Sequence, residues 1–118
     1  MTTLEFLNSI SYHAIATGSR VTCDPPVMDT DEDYAVWSQP DTIDILLEKG
    51  YIESSGSEEY DLSEFRCYRK DDINVMVTRN VDFFHKFHQA TKLAKALNLL
   101  AKSDRIMLFQ AILYGKYP

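Results

Sequence analysis

Near Asn80 the apolar residues change their period, and that change restricts the chain to a mixed α/β architecture. Downstream, Phe84, Phe87, Ala94 and Leu97 share one helical face. Asn80 can cap the helix they define, expected over 81–98. Ser103 or Asp104 can open a second helix, over 104–114, with Ile106, Phe109, Ile112 and Leu113 turned inward and Gly115 ending it. Upstream, the apolar segments are short and bounded by turn residues. Tyr12–Thr17, Asp31–Trp37, Phe65–Arg69 and Ile73–Thr78 read as strands, the last two joined by the polar turn Lys70–Asp72. A short helix opens the chain, capped by Thr2 or Thr3 and carrying Leu4, Leu7 and Ile10. Another follows Asp41 as its N-cap, carries Ile43, Leu46 and Leu47, and has Gly50 at its C-cap position. Residues 20–30 read as a loop, because Pro25 and Pro26 exclude a helix and a central strand, and 54–59 read as a polar turn. The expected order is α-β-loop-β-α-β-β-α-α. The fold class is α/β (α+β), a small mixed sheet of about four strands with helices packed on it.

At 118 residues the chain suits one domain, expected over 1–118, with one modest core. Its net charge of -6 argues against sequence-independent binding of nucleic acid, which needs clustered Lys and Arg. An acidic chain better suits divalent cations or a basic partner surface. Cys23 and Cys67 form no CxxC and lie in no His/Cys cluster, so neither a disulfide scaffold nor a structural zinc site is expected. The first residues lack the basic and apolar regions of a signal peptide, and no segment is apolar over the ~18 residues a membrane span needs. A cytoplasmic protein without a membrane partner is expected.

The chemistry concentrates in Gly18-Ser19-Arg20 and, after a loop, Thr30-Asp31-Glu32-Asp33-Tyr34. A phosphate can approach the backbone closely at Gly18, and Ser19 offers a hydroxyl and an amide N–H. Strand alternation sends Asp31 and Asp33 to the same side. Such a carboxylate pair is tolerated when it is solvated or holds a divalent metal, and Mg²⁺ with substrate phosphates is the usual phosphoryl-transfer arrangement. A lone Gly-Ser is ordinarily a turn and a lone DxD ordinarily a solvated strand end, so the ordered combination carries the signal.

That order, with Gly18, Ser19, Thr30, Asp31 and Asp33 in place and Tyr34–Val36 continuing the strand, resembles the nucleotidyltransferase superfamily of the polymerase-β type, especially its minimal stand-alone members. The resemblance covers residues 5–37 and, more loosely, the strand at 72–78. Segments 73–78, 90–100 and 105–116 also look like small nucleotidyltransferase-like proteins encoded by bacteriophages. The resemblance implies a minimal nucleotidyltransferase fold, with Gly18 and Ser19 at the phosphates of a nucleoside triphosphate. It also implies Asp31 and Asp33 as ligands of Mg²⁺ (or Mn²⁺), and transfer of a nucleotidyl group to a protein or nucleic-acid hydroxyl, with a protein or RNA as acceptor. Arg20 can reach a phosphate, although a surface arginine is the plainer reading. The sequence departs from the pattern where a third carboxylate should face the first two on a later strand. Alternation there puts Asn74 in its place, with Asp72 two residues earlier on the same face. Asn is a weaker metal ligand and a poor general base. Its presence implies a rival function, a catalytically lapsed binding protein, such as a phage-encoded modulator of a host enzyme in the host cytoplasm.

Other candidates read as structural. His85 and His88 have a metal-ligand spacing but lack an evident third ligand, and are expected exposed or half-buried. Phe83, Phe84, Phe87 and Trp37 read as core, and Cys67 as a small buried hydrophobe. Arg79, Lys86, Lys92 and Lys95 read as a solvated basic flank.

Overall fold

The structure, a computed structural model, describes residues 1–26, 31–54 and 63–115. Helix α1 (Thr3–Ser9) is held by a capping box in which the Thr2 hydroxyl accepts from Glu5 N and the Glu5 carboxylate accepts from Thr2 N. Its Asn8 amide then bonds both Ala14 N and Ala14 O on β1 (Ser11–Thr17), occupying polar groups on that edge strand. Strand β1 pairs antiparallel with β2 (Glu32–Ser38), with an irregularity between Ser11 and His13.

Between them lies an element the sequence reading missed, the four-residue helix α2 (Ser19–Thr22). Val21 N and Thr22 N donate to Gly18 O, and Cys23 N to Ser19 O, so the turn closes before the prolines begin. Pro25 and Pro26 end this helix rather than forbid it. Two side chains anchor its exit to the far helices. The Asn98 amide bonds Asp24 N and Asp24 O, and Arg105 Nη1 reaches Cys23 Sγ at 3.2 Å while donating to Leu99 O and Leu100 O.

Helix α3 (Thr42–Glu48) starts at Asp41, but the Asp41 side chain makes no capping bond. Buried Thr42 instead ties the helix start to its surroundings, its hydroxyl accepting from Gln39 N at 2.9 Å and donating to Ile10 O at 2.6 Å. Gly50, at φ +92°, stands one residue beyond the C-cap Lys49 and lets Tyr51 N reach back to Leu46 O. The sheet has five strands rather than about four, because β3 (Ile52–Ser54) adds a short edge to β4 (Arg66–Lys70). Three partly polar residues are too few to show a period. Strand β4 turns at Asp71 (φ +54°) into β5 (Ile73–Thr78), and β5 lies parallel to β2. The strand order is β1-β2-β5-β4-β3.

Helix α4 (Val81–Leu97) has the expected cap, Asn80 Oδ1 accepting from Asp82 N and Phe83 N. Helix α5 (Lys102–Tyr114) begins just before the expected Ser103 or Asp104, at Ala101 with no side-chain cap, and ends at Gly115 (φ +65°).

Helices cover both faces of the sheet. On one, Ile15, Ala35, Cys67 and Met76 pack under Phe83, Phe84, Phe87, Ala90 and Ala94 of α4 and Phe109 and Leu113 of α5. On the other, Tyr34, Val36, Tyr68, Val75 and Val77 pack under Leu7 of α1 and Leu46 of α3. Leu97, expected inward, is 56% exposed, and Ile106 and Ile112 are only partly buried. Trp37, expected in the core, is half-buried beside Tyr12, their ring centroids 4.9 Å apart. No described helix is long and apolar enough to cross a membrane.

These placements separate two substitutions on one helix. Phe84→Ala should cost about 3–5 kcal/mol, as expected for an aromatic truncated in a packed core. Leu97→Ala should stay within about 0.5 kcal/mol of wild type. Urea denaturation measures both, and equal costs would contradict the assigned packing.

Candidate functional site

Four strands contribute one residue each to a row across the sheet. Cα pairing sets Thr17 opposite Asp33, Asp33 opposite Asn74, and Asn74 opposite Arg69. The row faces α4, because Thr17 Oγ1 and Thr91 Oγ1 share a buried hydrogen bond of 2.9 Å. Asn74 Nδ2 donates to Asp33 Oδ1 at 3.3 Å.

Gly18 closes the row from above. Its backbone (φ +80°, ψ -179°) occupies a region essentially confined to glycine. A Cβ there would collide with Asp33 Oδ2 and stand 3.0 Å from Asp33 Cβ and Cγ. Sequence spacing brings Gly18 and Asp33 into one motif, and the fold brings them into contact. Ser19 and Arg20 follow at the start of α2.

The remaining acids are held by arginines. Asp31, just ahead of β2, accepts from Arg69 Nη2 at 2.6 Å, with both side chains about two-fifths exposed. Asp72 lies in the β4–β5 turn rather than in the strand, 3.8 Å from Arg20 Nη2. Of the two candidates for the third position, Asn74 is the one opposite Asp33. Thr30 lies outside the described residues. Sequence reasoning missed Thr17, Thr91 and Arg69. The two-residue turn between β4 and β5 carried the signal for Arg69, since it pairs Lys70 with Ile73 and hence Arg69 with Asn74.

Burial pushes the Asp33 carboxyl above the usual aspartate value. The Asn74 hydrogen bond opposes this, Asp31 adds to it, and Arg69 and Arg20 oppose it. The hydrogen bond to Asp31, and then its charge, raise the already high Arg69 value further. Cys67 is buried as expected, and its thiol is pushed up to about 11, first by burial and then by the Asp33 charge. It is therefore no nucleophile near neutral pH.

Asp31 Oδ1 is engaged by a guanidinium and Asp33 Oδ1 by an amide N–H, so an ion shared by the two acids would compete with Arg69 for Asp31. Among the described residues no three His, Cys, Asp or Glu side chains converge as a metal site. This holds for the histidines too. His13 comes within 5.6 Å of His88, centroid to centroid, around Phe84, while His85 sits exposed against Trp37.

Because the folded chain keeps the Asp33 proton to a higher pH than the unfolded chain, stability falls as pH rises from 3.8 through the folded value. Above that value the loss is complete. Asp33→Asn should therefore melt higher than wild type at pH 7, with the gap closing as pH falls towards 3.8. A variant that melts lower at pH 7 would mean that the charged carboxylate is itself required by the fold.

Compared with protein-family models, curated proteins and solved structures, the chain matches none.

Proposed function

We propose that this chain is a nucleotidyltransferase-type domain that has kept the phosphate-facing turn and two of the acids, Asp31 and Asp33, but lost the third carboxylate, so that it binds without transferring. The carrying observation is the Asn74 amide on Asp33 Oδ1, at the position where the resemblance calls for a third carboxylate. The Asp31–Arg69 bond supports the same reading, because a built-in cation already neutralises the other acid. A nucleoside triphosphate would meet the Gly18 backbone, the Ser19 hydroxyl and the Arg20 guanidinium. With a net charge of -6, the rest of the surface suits docking on a basic protein, such as a host enzyme that the chain modulates.

A second reading, an active transferase using Mg²⁺ or Mn²⁺, draws on the shared side of Asp31 and Asp33 at the start of β2. It requires Asp31 to exchange Arg69 for the ion, and it lacks a general base opposite Asp33, since Asn cannot take the proton of an attacking hydroxyl.

Restoring the missing charge separates the two. Wild type should show no saturable Mn²⁺ binding in the low-millimolar range by calorimetry, and no labelled-nucleotide transfer to a protein or RNA acceptor. Asn74→Asp places two carboxylates side by side, a pair that a divalent ion relieves. Together with Arg69→Met, which frees Asp31, it should bind Mn²⁺ saturably. A wild type that binds Mn²⁺ and transfers nucleotide would overturn the lapsed reading in favour of the active one.

A further inference from the structure

The sheet has a second concave end. Where β2 and β5 finish, a cavity of about 460 Å³ opens between α3 and the β4–β5 pair. Its apolar wall is Ile43, Phe65 and Val77, and its polar rim includes Ser63, Arg66 and Arg79. The volume lies within the range of small-molecule pockets. It is also remote from the row at Asp33. Arg79 is five residues along the chain from Asn74, roughly 16 Å at strand rise.

Two like charges share this rim: Arg66 pairs with Val77 across the antiparallel β4–β5 ladder, and Arg79 follows two residues later, just past the end of β5. Among the described residues neither guanidinium takes part in an ion pair. Glu64 also lines the cavity. Its Oε2 accepts from Asn80 Nδ2 at 2.7 Å, turning the carboxylate towards the start of α4, and Glu64 O accepts from Thr78 Oγ1 at 2.6 Å. Two exposed arginines and one glutamate leave this rim net positive in a chain of net charge -6.

We propose that this cavity is a second ligand site, which takes a phosphorylated small molecule with an apolar body. Two guanidinium forks offer more donors than the two oxygens of one carboxylate can accept. A phosphate monoester, with three terminal oxygens and up to two charges, matches both forks. The apolar body lies on Ile43, Phe65 and Val77 and excludes water from the charge pair. This site is independent of Gly18 and Asp33.

Phenyl phosphate titrated into the whole chain at low ionic strength tests the proposal, with inorganic phosphate, benzoate and phenol as separate arms. The expected result is saturable binding of phenyl phosphate, weaker binding of phosphate and of benzoate, none of phenol, and shifted methyl resonances of Ile43 and Val77. Arg66→Ala and Arg79→Ala should each weaken phenyl phosphate about tenfold or more, in line with loss of a charge-assisted pair. Lys95→Ala, an exposed cation on α4, should leave it unchanged. Arg66→Lys and Arg79→Lys keep the charge without the fork, and should fall between wild type and the alanine variants. Absence of saturable binding, equal affinity in the arginine and lysine variants, or shifts at Gly18 and Ser19 instead of Ile43 and Val77 would each overturn it.

Discussion

The parallel pairing of β2 with β5 is the constraint from which the rest of the structure follows. Two parallel neighbours cannot be joined by a tight turn, so the chain must leave the end of β2 and return to the start of β5. It does so through α3, β3 and β4, which builds the far half of the sheet on the way. Both strands are central, and both faces need cover. α1 and α3 take one face, α4 and α5 the other. The same pairing sets Asp33 opposite Asn74 at one end of the sheet and leaves the Arg66–Arg79 cleft beside the other.

Much of this frame was legible because it is local. The alternation of Ile73–Thr78, the Asn80 cap and the Phe83, Phe84 and Phe87 stripe are properties of short windows. So is Asn74 in place of an acid. What was not legible depends on partners remote in sequence. β3 is three residues long and acquires strand character only by lying against β4. Leu97 continues the apolar face of α4 and yet is largely exposed, so helical period alone does not say where the covered face ends. Asp41 has the chemistry of a cap, yet its side chain makes no capping bond, and the contact that holds this helix start runs from Thr42 to Ile10 O, just past α1.

At the candidate site the acids were legible and their partners were not. Asp31 and Asp33 do share a side, which strand alternation predicts. What alternation does not reveal is that Arg69, across β5 on β4, reaches Asp31. A guanidinium is a fixed cation that arrives with the fold, whereas a divalent ion must be captured from solution. The same logic explains why Gly18 stands where it does. Its missing Cβ lets the β1–α2 turn settle on the Asp33 carboxylate, which removes solvent from that group and raises its affinity for a proton.

Asp33 therefore reports directly on how its carboxylate is held, between a glycine turn and an amide. The most direct measurement is an NMR titration of its side-chain carboxyl carbon, with and without excess Mg²⁺. The expected midpoint lies above the ordinary aspartate value of 3.8 and is unchanged by the ion. A midpoint below that value, or one that falls sharply when Mg²⁺ is added, would show the carboxylate to be a metal ligand after all.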